Sequence, residues 1–231
     1  MLLLAGTFNL SDIVRAQDGF SWHFLPRWNL LSPTLPQILG FFCYFTAAVA
    51  ETNRLPFYLA EAESELVAGY HTEYASFRFA MFFMAEYAAM ITVACLAAIL
   101  FFGGWLSPIP PVPALAWTRY LPTALFGIAG VALVFHGLRY ITALGRITLP
   151  ALGLALCALA EVCARPGAID VVQGPFWFLS KVFVILFVYV WVRWTLPRFR
   201  YDQLMAIGWK VLLPLTLLNV VLTSLAVVAR K

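Results

Sequence analysis

Charge is scarce in this sequence. Asp, Glu, Lys and Arg make up 11% of its 231 residues, against 63% hydrophobic and 16% aromatic residues. A soluble domain carries roughly a quarter charged residues and about half apolar ones, so the composition excludes an ordinary soluble globule. Metal-ligand spacing is missing as well. The four cysteines (Cys43, Cys95, Cys157, Cys163) form no CxxC pair, and His23, His71 and His136 stand apart from them and from one another. That argues against zinc or iron–sulfur ligation by this chain. No glycine-rich nucleotide loop is present; Gly103 and Gly104 close an apolar run, where tight packing accounts for them. The opening MLLLAGTFNLSDIVRAQ lacks the cationic head and small-residue cleavage site of a signal peptide, and its apolar part is too short to span a bilayer. It reads as the last turn of a helix that begins upstream.

Apolar sequence is abundant. With 20 Phe, 8 Trp, 9 Tyr and a mean hydropathy of +0.87, the chain reads as a polytopic membrane protein. Charges bound six candidate spans: Trp28–Ala50, apolar only after Pro36; Phe79–Trp105, interrupted by Glu86; Tyr120–Leu138; about Ile141–Cys163; about Pro175–Thr195, containing Lys181; and about Ala206–Ala229. Lipid leaves each segment to satisfy its own backbone, and the ten-residue alternation of a membrane barrel is missing, so an all-α transmembrane fold is predicted.

Six spans place both chain ends on one side. Eight cations (Arg54, Arg78, Arg139, Arg146, Arg193, Arg198, Arg200, Lys210) fall on one side and six (Arg15, Arg27, Arg119, Arg165, Arg230, Lys231) on the other. The basic cluster WVRWTLPRFRYDQLMAIGWK orients its own loop, and with it the acidic loop, toward the cytoplasm. Cations flanking spans also account for the net charge of +4 without a nucleic-acid partner.

The acids are concentrated. ETNRLPFYLAEAESELVAGYHTEY, residues 51–74, holds Glu51, Glu61, Glu63, Glu65 and Glu73. After Pro56 the stretch Leu59–Ala75 reads as a helix with Glu61 and Glu65 on one face, a like-charge spacing that a solvated loop has no use for. Glu86 lies about 12 Å inside the second span, where an acid costs on the order of 3 kcal/mol and is a functional candidate by default. Lys181 has two readings: a charge within the span, or a long stem that snorkels to the outer interface. Together the acids suggest a hydrated proton path that begins at the acidic loop.

AETNRLPFYLAEAESELVAGYHTEYASFRFAMFFMAEY (50–87) resembles the signature of the membrane-embedded H subunit, or subunit 1, of the proton-pumping NADH:quinone oxidoreductase family (respiratory complex I). WVRWTLPRFRYDQLMAIGWKVLLPLTLLN (191–219) resembles the second signature, GTFNLSDIV (6–14) the segment after the family's fifth helix, and FFGGW (101–105) the end of its sixth. The resemblance implies a subunit that forms the quinone chamber where the hydrophilic redox arm meets the membrane arm. Its substrate is a quinone, ubiquinone or menaquinone, reduced from an iron–sulfur cluster in a neighbouring subunit; FMN and the other clusters also belong to partner subunits. The partners implied are the redox-arm subunits at the quinone site, neighbouring membrane-arm subunits and the lipid of a cell (inner) membrane, bacterial rather than mitochondrial.

Residue by residue, the resemblance puts Glu51 and Arg54 in the chamber lining, and Glu61, Glu63, Glu65 and Glu73 in the acidic loop and its polar funnel. Glu86 and Lys181 lie on an intramembrane charged path. Arg193, Arg198, Arg200 and Asp202 lie in the second cytoplasmic loop, where positive-inside anchoring is the alternative reading of the arginines. The organisation implied is a helix remnant and outer loop (1–34), two spans flanking the quinone-site loop (35–106), an inserted two-span hairpin (107–173), and two final spans with the basic loop (174–231).

Three features depart from the family pattern. Tyr58 stands where relatives carry an acid, and a phenol holds no negative charge at neutral pH. Ser107–Gln173 occupies what is a short loop in the family, and an even number of added spans preserves the downstream orientation. The first four helices and nearly all of the fifth are lacking, so the sequence reads as N-terminally incomplete. The runner-up function is the related membrane anchor of a hydrogenase or ferredoxin-linked complex. A stand-alone transporter is disfavoured because matched, broken-helix halves are missing.

Overall fold

The computed structural model describes residues 2–21, 25–32, 37–52, 54–57, 77–110, 113–140, 143–165 and 167–229. In chain order the elements are α1 (Leu2–Ala5), α2 (Leu10–Ala16), β1 (Phe20–Ser21), β2 (Leu25–Pro26), α3 (Ile38–Glu51), α4 (Phe77–Phe101), α5 (Leu121–Leu138), α6 (Ala143–Ala164), α7 (Ala168–Thr195), α8 (Tyr201–Ala206) and α9 (Leu213–Ala229). Short 3-10 segments cover Asn29–Leu31 and Pro113–Tyr120, and a π-helical segment, Ile207–Leu212, fuses α8 to α9. The protein is an all-α polytopic membrane protein. Its β1–β2 pair is a two-residue antiparallel ribbon with Phe20 opposite Pro26.

Among the described residues, five helices are long and apolar enough to cross a membrane: Phe77–Phe101, Leu115–Leu138, Gly145–Ala164, Ala168–Thr195 and Tyr201–Ala229. The first sequence-predicted span is shorter than expected. α3 has 14 residues and rises about 21 Å, short of a hydrocarbon core of about 30 Å. The stretch Trp28–Leu31 is outside it, in a 3-10 turn rather than a span. Pro33 and Pro36 lie between the two, and neither can donate a helical hydrogen bond.

The chain divides into two compact units, Met1–Gly104 with Leu179–Lys231, and Trp105–Phe178. In the first, Ala94, Ala97 and Ala98 of α4 are buried together with Ala48 and Val49 of α3 and Ile13 and Val14 of α2. Small side chains on α4 let its neighbours approach closely. Phe41 packs edge-on against Phe101 at 5.3 Å and Phe102 at 5.2 Å, and Phe45 against Tyr189 at 4.8 Å. Several polar side chains inside the apolar walls pair with one another, as a dry interior favours. Buried Gln37 donates to Thr223 Oγ1 at 3.2 Å and accepts from Asn219 Nδ2 at 3.2 Å, joining the start of α3 to α9. Gly40 lies beside this pair, and a Cβ there would come within 3.0 Å of Gln37 Oε1.

The second unit is built on α5 and α6. Gly130 and Gly137 of α5 face Gly153, Cys157 and Pro150 of α6 at a separation that only glycine allows: a Cβ on Gly130 would lie 2.8 Å from the Gly153 carbonyl oxygen. The ring of Pro150, inside α6, occupies the space that Gly137 leaves. The two helices thus pack by close backbone approach rather than by large interlocking side chains. Arg119 pairs with Asp170, and Gln173 Nε2 donates to the Arg119 carbonyl at 3.1 Å, so the 3-10 segment before α5 is tied to the start of α7.

Candidate functional site

The site is built where α3 ends. Thr52 is buried, and its hydroxyl donates to the Ala48 carbonyl at 3.0 Å. Arg54 N then donates to Val49 O at 3.2 Å and Phe57 N to Arg54 O at 2.8 Å, so the chain turns tightly as it leaves the helix. This turn directs Arg54 back onto α4. Its Nε lies 3.0 Å from Glu86 Oε1, with the two side chains 11% and 34% exposed, and its guanidinium sits 4.7 Å from the centre of the Tyr87 ring. The Nε–H is not aimed along the line to the carboxylate, so the contact is an ion pair rather than a directed hydrogen bond; Nε and Nη2 have no hydrogen-bond acceptor among the described residues. An arginine held by charge and by ring stacking retains planar donor capacity.

Glu86 is therefore not a bare acid at membrane depth. Its carboxylate meets a cation supplied by the start of the acidic loop, which offsets the cost of placing it there. Glu51, the last residue of α3, is exposed and lines a cavity of about 460 Å³ between α3 and α4, together with Tyr44, Ala47, Ala48, Ala89, Thr92, Val93 and Leu96. The Tyr44 hydroxyl donates to the Val93 carbonyl at 2.9 Å and so fixes one wall.

The two distant signature segments meet. Phe199 N donates to the Pro56 carbonyl at 3.1 Å and the rings of Phe57 and Phe199 lie 5.8 Å apart, so the acidic and basic loops share one end of the unit. Arg193, Arg198, Arg200 and Asp202 flank this junction in the chain, Arg200 and Asp202 with exposed side chains. Arg200 N donates to Gln203 Oε1 at 3.1 Å, and Asp202 occupies the first turn of α8, where an acid suits the helix dipole.

Lys181 differs from one of its sequence readings. It does not snorkel: it is 9% exposed, and its ammonium donates to the carbonyls of Phe102 at 2.7 Å and Gly104 at 2.9 Å. Nor does the structure bring it to Glu86, which lies fifteen residues from the C-terminal end of α4, about 22 Å along the helix. Tyr58, Glu61, Glu63, Glu65 and Glu73 lie outside the described residues. Sequence reasoning missed Gln17, Asn29, Trp28 and Tyr44; the available signal was a polar or amphipathic group beside an apolar run, which favours a partner there.

Comparison with known proteins gives a consistent result. The model of the NADH dehydrogenase family matches residues 1–224, a stretch that runs through residues 107–173. The NADH-quinone oxidoreductase H subunit 1 of Solibacter usitatus (strain Ellin6076) is 46% identical over 226 residues, covering 98% of this chain and 55% of the relative. The NADH-quinone oxidoreductase H subunit 2 of Koribacter versatilis (strain Ellin345) is 45% identical over 227 residues, 98% of this chain and 48% of the relative. The H subunit 2 of Solibacter usitatus is 39% identical over 231 residues, 96% of this chain and 56% of the relative. The chain spans about half the length of the curated relatives it matches. With a family match over nearly its whole length and a membrane fold in which both signature loops meet at one end, beside a paired Arg–Glu site, the chain belongs to the NADH dehydrogenase family.

Proposed function

We propose that this chain forms part of the quinone chamber of a membrane-bound NADH:quinone oxidoreductase and helps couple quinone reduction to proton translocation. The observation that carries the reading is the Arg54–Glu86 pair, an arginine from the acidic loop held 3.0 Å from an acid inside an apolar helix. Quinone is the substrate, and FMN and iron–sulfur clusters belong to partner subunits. Support for an assembly comes from the spans themselves: between 6% and 22% of each is buried within the chain, which leaves apolar wall for lipid and for neighbouring membrane-arm subunits. The names of the relatives favour this function over a hydrogenase or ferredoxin-linked anchor.

In this mechanism the quinone gains negative charge on reduction. Arg54 retains buried donors and sits beside the loop that lines the chamber, so it is drawn toward that charge and its hold on Glu86 weakens. The carboxylate, losing its counter-ion, exchanges protons with the loop acids Glu61, Glu63, Glu65 and Glu73 and with Glu51 at the α3–α4 cavity. Tyr58 supplies a hydrogen-bond donor where relatives supply charge. Arg193, Arg198, Arg200 and Asp202 form the cytoplasmic rim facing the redox arm. The complex resides in a bacterial inner membrane with both signature loops in the cytoplasm, and residues 107–173 form a peripheral hairpin outside the chemistry.

Glu61→Gln, Glu65→Gln and Glu86→Gln, each in the intact complex reconstituted in proteoliposomes, should lower quinone reduction or the ratio of protons moved to electrons passed. Unchanged values of both in all three variants would sink the reading.

A further inference from the structure

A helix leaves its last carbonyls without partners, and away from water each one is destabilising if it stays so. The C-terminal end of α4 meets this requirement with side chains from three separate segments. Ala98 O accepts from Phe102 N at 3.2 Å and Gly104 N at 2.9 Å. Ile99 O accepts from Gln17 Nε2 at 2.9 Å, and Leu100 O from Asn29 Nδ2 at 2.8 Å. In the turn that follows the helix, Phe102 O and Gly104 O both accept from Lys181 Nζ.

The geometry is specific. Gly103 at φ 69° and Gly104 at φ 50° turn the chain so that the two carbonyls converge on one donor, and a Cβ at Gly104 would strike Val14 Cγ2 at 2.8 Å. The caps also hold one another: Gln17, 1% exposed, accepts from Asn29 N at 3.1 Å and donates to Ile13 O at 3.2 Å. The ammonium lies 4.6 Å from the centre of the Trp28 ring, a favourable face for a cation. A positive charge at a helix C-terminus is stabilised by the helix dipole as well.

We propose that Lys181 is a fixed cationic cap of α4, a positioning residue that holds the helix, and with it Glu86 and the Arg54 pair, rather than a proton carrier on the charged path. The activity it serves is the one proposed above; the cap itself is a property of this chain and is read independently.

The test uses the intact membrane complex. Lys181→Met removes donors and charge, and amide exchange of residues 99–104 should accelerate by about tenfold or more as the last turn loosens. Lys181→Arg keeps charge and donors but cannot release a proton at working pH; it should keep the proton-to-electron ratio and the shape of the pH profile, with some loss of turnover from the poorer fit. A collapsed ratio or an altered profile in an assembled Lys181→Arg complex overturns the proposal. Should that variant fail to assemble, Asn29→Leu decides, because it strips a cap from the same turn without touching an ionisable group. It should reproduce the exchange defect of Lys181→Met and lower turnover with the ratio intact. Normal turnover in Asn29→Leu, alongside lost proton translocation in Lys181→Met, assigns the lysine to the path and overturns the cap. Failure of the quinone reading alone leaves the exchange data standing, so the two failures are distinguishable.

Discussion

Replacing Arg54 with Leu is expected to lower quinone-reductase turnover of the assembled complex by about tenfold or more. The variant leaves Glu86 inside an apolar helix without the cation that lies 3.0 Å from it. Breaking a fully buried pair costs about 3–5 kcal/mol, and this one costs less because solvent screens the Glu86 side chain, which is 34% exposed. Arg54→Lys should recover only part of the activity: an ammonium keeps the charge but loses the planar face that stacks on Tyr87 at 4.7 Å. The pairing itself is read from a double-mutant cycle with Glu86→Gln, in which contacting residues show a coupling of roughly 0.5–3 kcal/mol. If the two substitutions add without coupling in turnover, Arg54 acts elsewhere and the proposed exchange of partners is wrong.

Much of this site was legible in the sequence, and for a physical reason. An acid in an apolar helix costs so much that its presence is a signal by itself, and Glu86 carried that signal without any structure. Its partner was harder to read, because Arg54 is thirty-two positions away in the chain and only the turn at Thr52–Phe57 aims it at α4. Lys181 was found for the same reason as Glu86, yet its role was not legible. A cation in a span signals a partner but does not say whether the partner is an acid, an aromatic face or a carbonyl at a helix end, and here its partners include two carbonyls and the Trp28 ring.

Most span boundaries were legible where charge punctuates an apolar run. The helices over 77–101, 121–138, 143–164 and 201–229 fall within a few residues of the sequence-predicted spans. α7 begins earlier than expected, at Ala168, because Pro175 is accommodated inside the helix instead of starting it. The span over 28–50 was too long because it was bounded by charge, from Arg27 to Glu51; its apolar part after Pro36 is where α3 begins, at Ile38, and the Asn29 side chain ahead of it caps α4 through Leu100 O. Gln37, Asn219 and Thr223 went unread for a related reason. Each is a single polar residue in an apolar stretch, and only their convergence shows that they bind α3 to α9.

Gly153→Leu is expected to destroy the α5–α6 hairpin while sparing quinone chemistry. A Cβ at Gly153 would lie 2.6 Å from the Gly130 carbonyl oxygen and 3.0 Å from Val134 N. Both are backbone atoms of a packed helix, which cannot move aside as a flexible side chain would, so the helices must separate and forfeit the contact along their shared face. Gly127 provides the control on the same pair of helices: a Cβ there meets nothing within 4 Å, and Gly127→Ala should be neutral or stabilising by up to about 1 kcal/mol through helix propensity. The measurement is protease resistance of the hairpin in detergent-solubilised complex, paired with quinone reduction per assembled complex. A peripheral hairpin predicts that Gly153→Leu loses resistance and keeps turnover. If turnover disappears in complexes that still assemble, residues 107–173 belong to the chemistry and their peripheral role is wrong. Glycine is the discriminating residue because the hairpin depends on backbone approach: a Cβ at Gly153 meets packed backbone, whereas one at Gly127 meets open space.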